Sequence, residues 1–118
     1  MHKLIILIGE AAERAEFHAQ WPRFLRRAEQ MPGLLREASV QVEARLYGPW
    51  DVRMIHELYF ESRQALDAAM RSLVGKTAGA TLQDITGGRF TLLIAEHAED
   101  DMENIRQHRA REDEDEDA

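Results

Sequence analysis

From residue 38 to residue 47 small and apolar side chains alternate with polar ones, Ala38, Val40, Val42, Ala44 and Leu46 against Ser39, Gln41, Glu43, Arg45 and Tyr47. Successive residues of a strand point to opposite faces, so the pattern predicts one apolar face seeking helices and one polar face meeting water or lining a chamber. Residues 4–8 form an apolar run that reads as a central strand. Gly9 and residues 10–13 read as a turn. Phe17, Trp21, Phe24 or Leu25, Ala28 and Met31 then recur at helical spacing up to Pro32-Gly33, with a kink expected at Pro22. A turn-rich loop over 48–53 leads to a strand over 54–60. Ser62 caps a helix carrying Ala65, Leu66, Ala69, Met70 and Leu73, expected to stop at Gly75. A short helical piece through Ala78, Leu82 and Ile85 ends at Gly87-Gly88, and residues 89–96 alternate as a last strand.

The order is β-α-β-β-α-β. It predicts an α+β, ferredoxin-like fold, a four-stranded antiparallel sheet with its helices on one face. The other face would carry Ile5, Leu7, Ile55, Tyr59 and Leu93, too apolar for open water. Two such sheets face to face would cover each other, so a homodimer is expected. Within the central hairpin, matching polar face to polar face sets Arg45 opposite Glu57, Glu43 opposite Tyr59 and Tyr47 opposite Ile55. A shift by two would oppose Glu43 to Glu57, which like charges disfavour.

Charge changes the picture only once it is located. Residues 1–97 hold 12 acidic and 12 basic side chains, whereas residues 98–118 hold 10 acidic and 3 basic ones, which accounts for the net charge of -7. The chain therefore divides into a neutral domain over 1–97 and an acidic C-terminal tail over 98–118. A neutral body offers phosphates no basic field, so nucleic acid is not an expected partner. Met102 and Ile105 suggest a short helix in the tail, and the charge run over 111–118 reads as solvated and disordered. The apolar run at residues 4–8 is too short for a signal segment or a membrane span, so a cytoplasmic protein with no membrane partner is expected. The chain has no cysteine, which excludes disulfides, thiol nucleophiles and thiolate metal sites.

Several motifs together resemble an EthD-type member of the dimeric α+β barrel superfamily. They are Lys3-Leu4-Ile5-Ile6-Leu7, Phe17 with Trp21, Met31-Pro32-Gly33-Leu34, and Glu57-Leu58-Tyr59-Phe60 followed by Glu61-Ser62. The last runs from Gly75 through Ala80-Thr81-Leu82-Gln83-Asp84 to Gly87-Gly88-Arg89-Phe90-Thr91-Leu92-Leu93. The likeness covers roughly residues 2–97. It implies a barrel dimer handling a small apolar or aromatic ligand without a bound nucleotide or other cofactor. The implied activity is that of a cofactor-free enzyme of monooxygenase, isomerase or cyclase type, or else of a non-catalytic ligand-binding or accessory protein. Members carry a histidine about one turn after the tryptophan; here Phe24 and Leu25 occupy that region, so its role is not carried over.

The candidate chemistry lies on the hairpin. Glu57 would act as base, Tyr59 or Arg45 would stabilise negative charge, and Tyr47 and Glu43 would help bind the ligand. The same five residues equally suit an ion pair and two tyrosines at a dimer interface. His56 falls on the helix side, where a buried, hydrogen-bonded imidazole is the plainer reading. His18 reads as a surface residue and His97 as a rim residue, while Trp21 belongs to the core. Trp50, in a turn-rich loop, either folds back or meets a partner subunit. No two histidines have ligand spacing, so no metal is expected.

Overall fold

The computed structural model describes residues 1–10, 12 and 15–117, with residues 113–117 described by backbone alone. Its elements are β1 (His2–Ile8), α1 (Ala15–Ala28), β2 (Arg36–Gln41), β3 (Met54–Phe60), α2 (Arg63–Arg71), α3 (Leu73–Thr86), β4 (Phe90–Glu96) and α4 (Met102–Asp117). The strands form one antiparallel sheet in the order β2-β3-β1-β4. This is the expected α+β, ferredoxin-like arrangement.

Strand parity decides which side chains reach the helices. Leu4, Ile6 and Ile8 of β1 and Met54, His56, Leu58 and Phe60 of β3 share the covered face and are buried. Phe17, Phe24 and Ala28 of α1 with Leu66, Ala69, Ala78 and Leu82 of α2 and α3 close the core over them. Lys3, Ile5 and Leu7 with Ile55, Glu57 and Tyr59 lie on the opposite face, where, among the described residues, no helix packs.

The helix containing Pro22 continues through it, from Ala15 to Ala28. Three local expectations are corrected. Gly75 does not stop a helix: α2 ends at Ser72, which caps α2 and accepts from the Gly75 amide to start α3. A Cβ at Gly75 would lie 2.1 Å from the Ala69 carbonyl oxygen, so glycine lets the two helices meet. The tail helix is not short and does not give way to disorder at residue 111, since its backbone continues to Asp117; the side chains of 113–117 and all of Ala118 lie outside the described residues. The turn expected over 9–13 is described at Gly9, Glu10 and Ala12, while Ala11 and Glu13 lie outside the described residues.

The third correction concerns the hairpin. β2 ends at Gln41, and its partners are Arg36 with Tyr59, Ala38 with Glu57, and Val40 with Ile55. The Arg45–Glu57, Glu43–Tyr59 and Tyr47–Ile55 pairings do not form. The shift is by an odd number of residues, which exchanges the two faces of β2. Ala38 and Val40 therefore lie on the uncovered face, and Glu37, Ser39 and Gln41 share the side of His56. The physical reason is the buried imidazole. Ser39 Oγ lies 3.0 Å from His56 Nδ1 and Glu37 Oε2 lies 3.2 Å from Nε2. A polar row on this side satisfies a ring that a row of alanine and valine would leave without partners.

Candidate functional site

The uncovered face carries two features, one at each end of β1. The first is polar. Lys3 pairs with Tyr59 and Ile5 with Glu57 in the ladder, so Lys3 reaches Glu57 diagonally and forms an ion pair with it, both side chains being largely buried. The hydrogen bond and charge of Glu57 raise the Lys3 ammonium above its ordinary value, with burial opposing. Tyr59 is buried beneath this pair. The Arg36 guanidinium stacks 4.2 Å from its ring centroid, the Lys3 ammonium lies 5.4 Å from it, and His97 meets the ring edge-on at 5.0 Å. Glu99 closes the rim, 4.0 Å from Arg36 and 3.4 Å from His97. Two cations around a tyrosine suit an electron-rich or anionic group placed among them.

The second feature is a groove of about 720 Å³ at the other end of the face. Leu7, Thr91 and Leu93 form its floor, the loop over 49–52 forms one wall and residues 88–90 the other. Trp50 stands on its lip, 76% exposed. The loop is held at its base. Arg53 bonds Asp51 at 3.2 Å and Glu10 at 3.1 Å, and the Glu10 amide donates to Asp51 at 3.0 Å. That amide, with Arg53 and more remotely Arg45, keeps the Asp51 carboxyl below its ordinary range. Lys3 and Leu7 lie four positions apart on β1, roughly 13 Å.

The five hairpin candidates are thus divided. Glu57 and Tyr59 stand together in the polar cluster. Glu43 and Arg45 line a separate hollow of about 230 Å³ with Trp50 and Asp51, and Tyr47 is 98% exposed beyond it. Sequence reasoning did not anticipate Lys3 and Arg36 as the partners of Glu57 and Tyr59, nor His97 as a ring neighbour. One signal was available: Lys3 shares its parity with Ile5 and Leu7, a charge set into an apolar row. His56 is as expected, 2% exposed and hydrogen-bonded, with Trp21 packed edge-on at 5.3 Å. Burial lowers its pKa. Among the described residues no group of histidines and carboxylates is arranged to hold a metal ion, and no helix is long and apolar enough to cross a membrane.

The fold is shared with proteins of known structure. An ethyl tert-butyl ether D (EthD) family protein from Bacillus halodurans is 24% identical, with a TM-score of 0.73 over 83% of this chain and 99% of that one. A dimeric ferredoxin-like protein of unknown function from Jannaschia is 16% identical, with a TM-score of 0.58 over 81% of this chain and 98% of that one. SnoaB, a cofactor-independent oxygenase from Streptomyces nogalater, is 14% identical, with a TM-score of 0.55 over 86% of this chain and 93% of that one. No family model matches the sequence, and no curated protein matches it.

Proposed function

The likeness to an EthD family protein, anticipated from the sequence motifs, holds at the level of the fold, and it is from this architecture that we propose a function. We propose that the protein is a homodimer, its uncovered sheet faces turned to one another, that binds a small apolar or aromatic molecule in the groove beside Trp50. The observation that carries this reading is the groove itself. Its volume of about 720 Å³ falls in the range of small-molecule sites, and its floor of Leu7 and Leu93 with one hydroxyl from Thr91 suits a mainly apolar guest. A dimer is supported by the apolar residues Ile5, Ile55 and Leu93 on a face that no described element covers.

A second reading, catalysis without a cofactor, is favoured by the polar cluster. Arg36 and Lys3 flank Tyr59, where they would stabilise charge developing on a substrate oxygen, with Glu57 as the base once Lys3 is displaced from it. In this reading Arg45, Tyr47 and Glu43 serve the ligand from the loop. SnoaB shows that a protein of this fold supports cofactor-independent oxygenation.

Native mass spectrometry of the protein as purified, followed by titration with 1-naphthol read through tryptophan fluorescence, tests the first reading. A dimer mass is expected, with saturable quenching that Trp50→Ala weakens about tenfold, the loss of one large aromatic contact. A monomer, or binding indifferent to Trp50→Ala, would refute it. Under the catalytic reading Glu57→Gln and Tyr59→Phe abolish turnover of a bound substrate while leaving its affinity in place.

A further inference from the structure

The alternating pattern over residues 38–47 is only partly used by the sheet. β2 takes residues 36–41, and the Val42 amide donates once more, to Arg53. Residues 43–47 keep the alternation but, among the described residues, pair with no strand. Leu46 and Tyr47 are 96% and 98% exposed, an unusual position for two large side chains in succession. β2 is an edge strand of the sheet, with β3 on one side only.

We propose that residues 41–47 are an arm that pairs antiparallel with the same segment of a second copy, centred on Ala44. The register follows from the residues. With Ala44 opposite Ala44 across a two-fold axis, Val42 stands opposite Leu46 on one face, and Glu43 stands opposite Arg45 on the other, twice by symmetry. Gln41 then meets Tyr47. The backbone parity agrees. Val42 directs its amide inward to Arg53, so along a continuing strand Glu43 and Arg45 direct theirs outward, where a directly opposed pair exchanges two hydrogen bonds. A shift by two residues would oppose Arg45 to Arg45 or Glu43 to Glu43. The segment is therefore self-complementary in one register, which favours a second copy over an acidic or a basic partner. The arm rests on the homodimer reading and specifies the contact that fastens it.

The test uses the absence of cysteine from the chain. Ala44→Cys places two thiols at the axis, with Cα atoms about 4.5 Å apart in a non-hydrogen-bonded pair, within disulfide reach. Under mild oxidation the full-length variant should cross-link nearly completely, while Leu46→Cys, roughly 13 Å from its symmetry mate, should not. Glu43→Arg sets arginine against arginine and should weaken the dimer about tenfold by analytical ultracentrifugation, and Glu43→Arg with Arg45→Glu should restore it. A wild-type monomer overturns both the arm and the homodimer. A stable dimer in which Ala44→Cys and Leu46→Cys cross-link alike, or in which the charge exchange fails to rescue, overturns the arm alone. Cosedimentation of wild type with phosphatidylglycerol vesicles, lost in Leu46→Asp, would assign the exposed tip to a lipid surface and overturn it as well.

Discussion

The two faces of this sheet are built from the same strands and differ in what each does with polar groups. On the covered face β1 and β3 contribute six buried apolar residues and one buried imidazole, His56, which is solvated by its neighbours Ser39 and Glu37. On the uncovered face the same two strands contribute an ion pair, Lys3 with Glu57, laid over a buried tyrosine among aliphatic residues that remain half-buried. One face is finished within the chain. The other has its charges neutralised but its apolar surface still open, the condition of an interface or a chamber rather than of a core.

The difference is sharpest in adjacent residues. Ile6→Ala on the covered face should cost ~2–5 kcal/mol, because a fully enclosed side chain leaves a cavity. Ile5→Ala, one position away on the uncovered face, should cost about 1 kcal/mol or less in a monomer, since water already reaches the site. Urea denaturation at dilute and at high protein concentration measures both. Equal costs at dilute concentration would mean that the two faces are not distinct. A growing cost for Ile5→Ala as concentration rises would place that residue in a subunit contact.

How much of this was legible in the sequence follows from the same parity. β1 is visible as an apolar run and β4 as an alternation, and the helix-side set Met54, His56, Leu58 and Phe60 of β3 is visible by parity because burial on one face imposes it. The face of β2 is not, because an edge strand with small apolar residues on one side and polar ones on the other satisfies either assignment locally. The choice is made by a long-range partner, the buried His56, which needs Glu37 and Ser39 on its side. The candidate site inherits that limit. Glu57 and Tyr59 were readable from their own strand, but their neighbours Lys3 and Arg36 lie 54 and 23 positions away from Glu57 and Tyr59 respectively and become neighbours only through the register. The separation of Arg45 and Tyr47 from this cluster has the same origin, since the ladder ends at Gln41.

The ion pair offers a smaller test of the contrast. Glu57→Gln leaves the Lys3 ammonium largely buried without its counter-charge and should cost ~1–3 kcal/mol, less than a fully buried pair because both groups keep some contact with water. Lys3→Met with Glu57→Leu removes both charges and should recover most of that loss while increasing self-association, as the uncovered face becomes uniformly apolar. A double variant no more stable than the single one would show that the pair contributes more than mutual neutralisation. Sedimentation and urea unfolding, run on the same samples, separate the two effects.

The smallest expected effect belongs to His56, and it is a slope rather than a level. Burial favours the neutral ring, so its folded pKa lies below its ordinary value. In the neutral state Nε2–H donates to the Glu37 carboxylate and Nδ1 accepts from the Ser39 hydroxyl. As pH falls, the unfolded chain takes up the proton first, so the contribution of His56 is fully present above about pH 6.5 and is lost towards the lower folded value. The carboxylates whose charge reaches the ring are Glu37, in contact with it, Glu29, and Glu57 from the opposite face of the sheet. Glu29 acts in the opposite sense: the hydrogen bond and charge of Glu37 hold its carboxyl above the ordinary value, so its unfavourable contribution is relieved by protonation as pH falls. The two windows extend towards each other, that of His56 downward from the imidazole range and that of Glu29 upward from the carboxylate range, so the slope due to His56 is read next to the ordinary imidazole value. Unfolding free energy of wild type should therefore decline between about pH 7 and the folded value of His56, whereas His56→Gln, whatever its overall stability, should be flat over the upper part of that interval. A wild-type curve with no decline there would mean that the ring is charged in the fold and that Glu37, rather than burial, governs it.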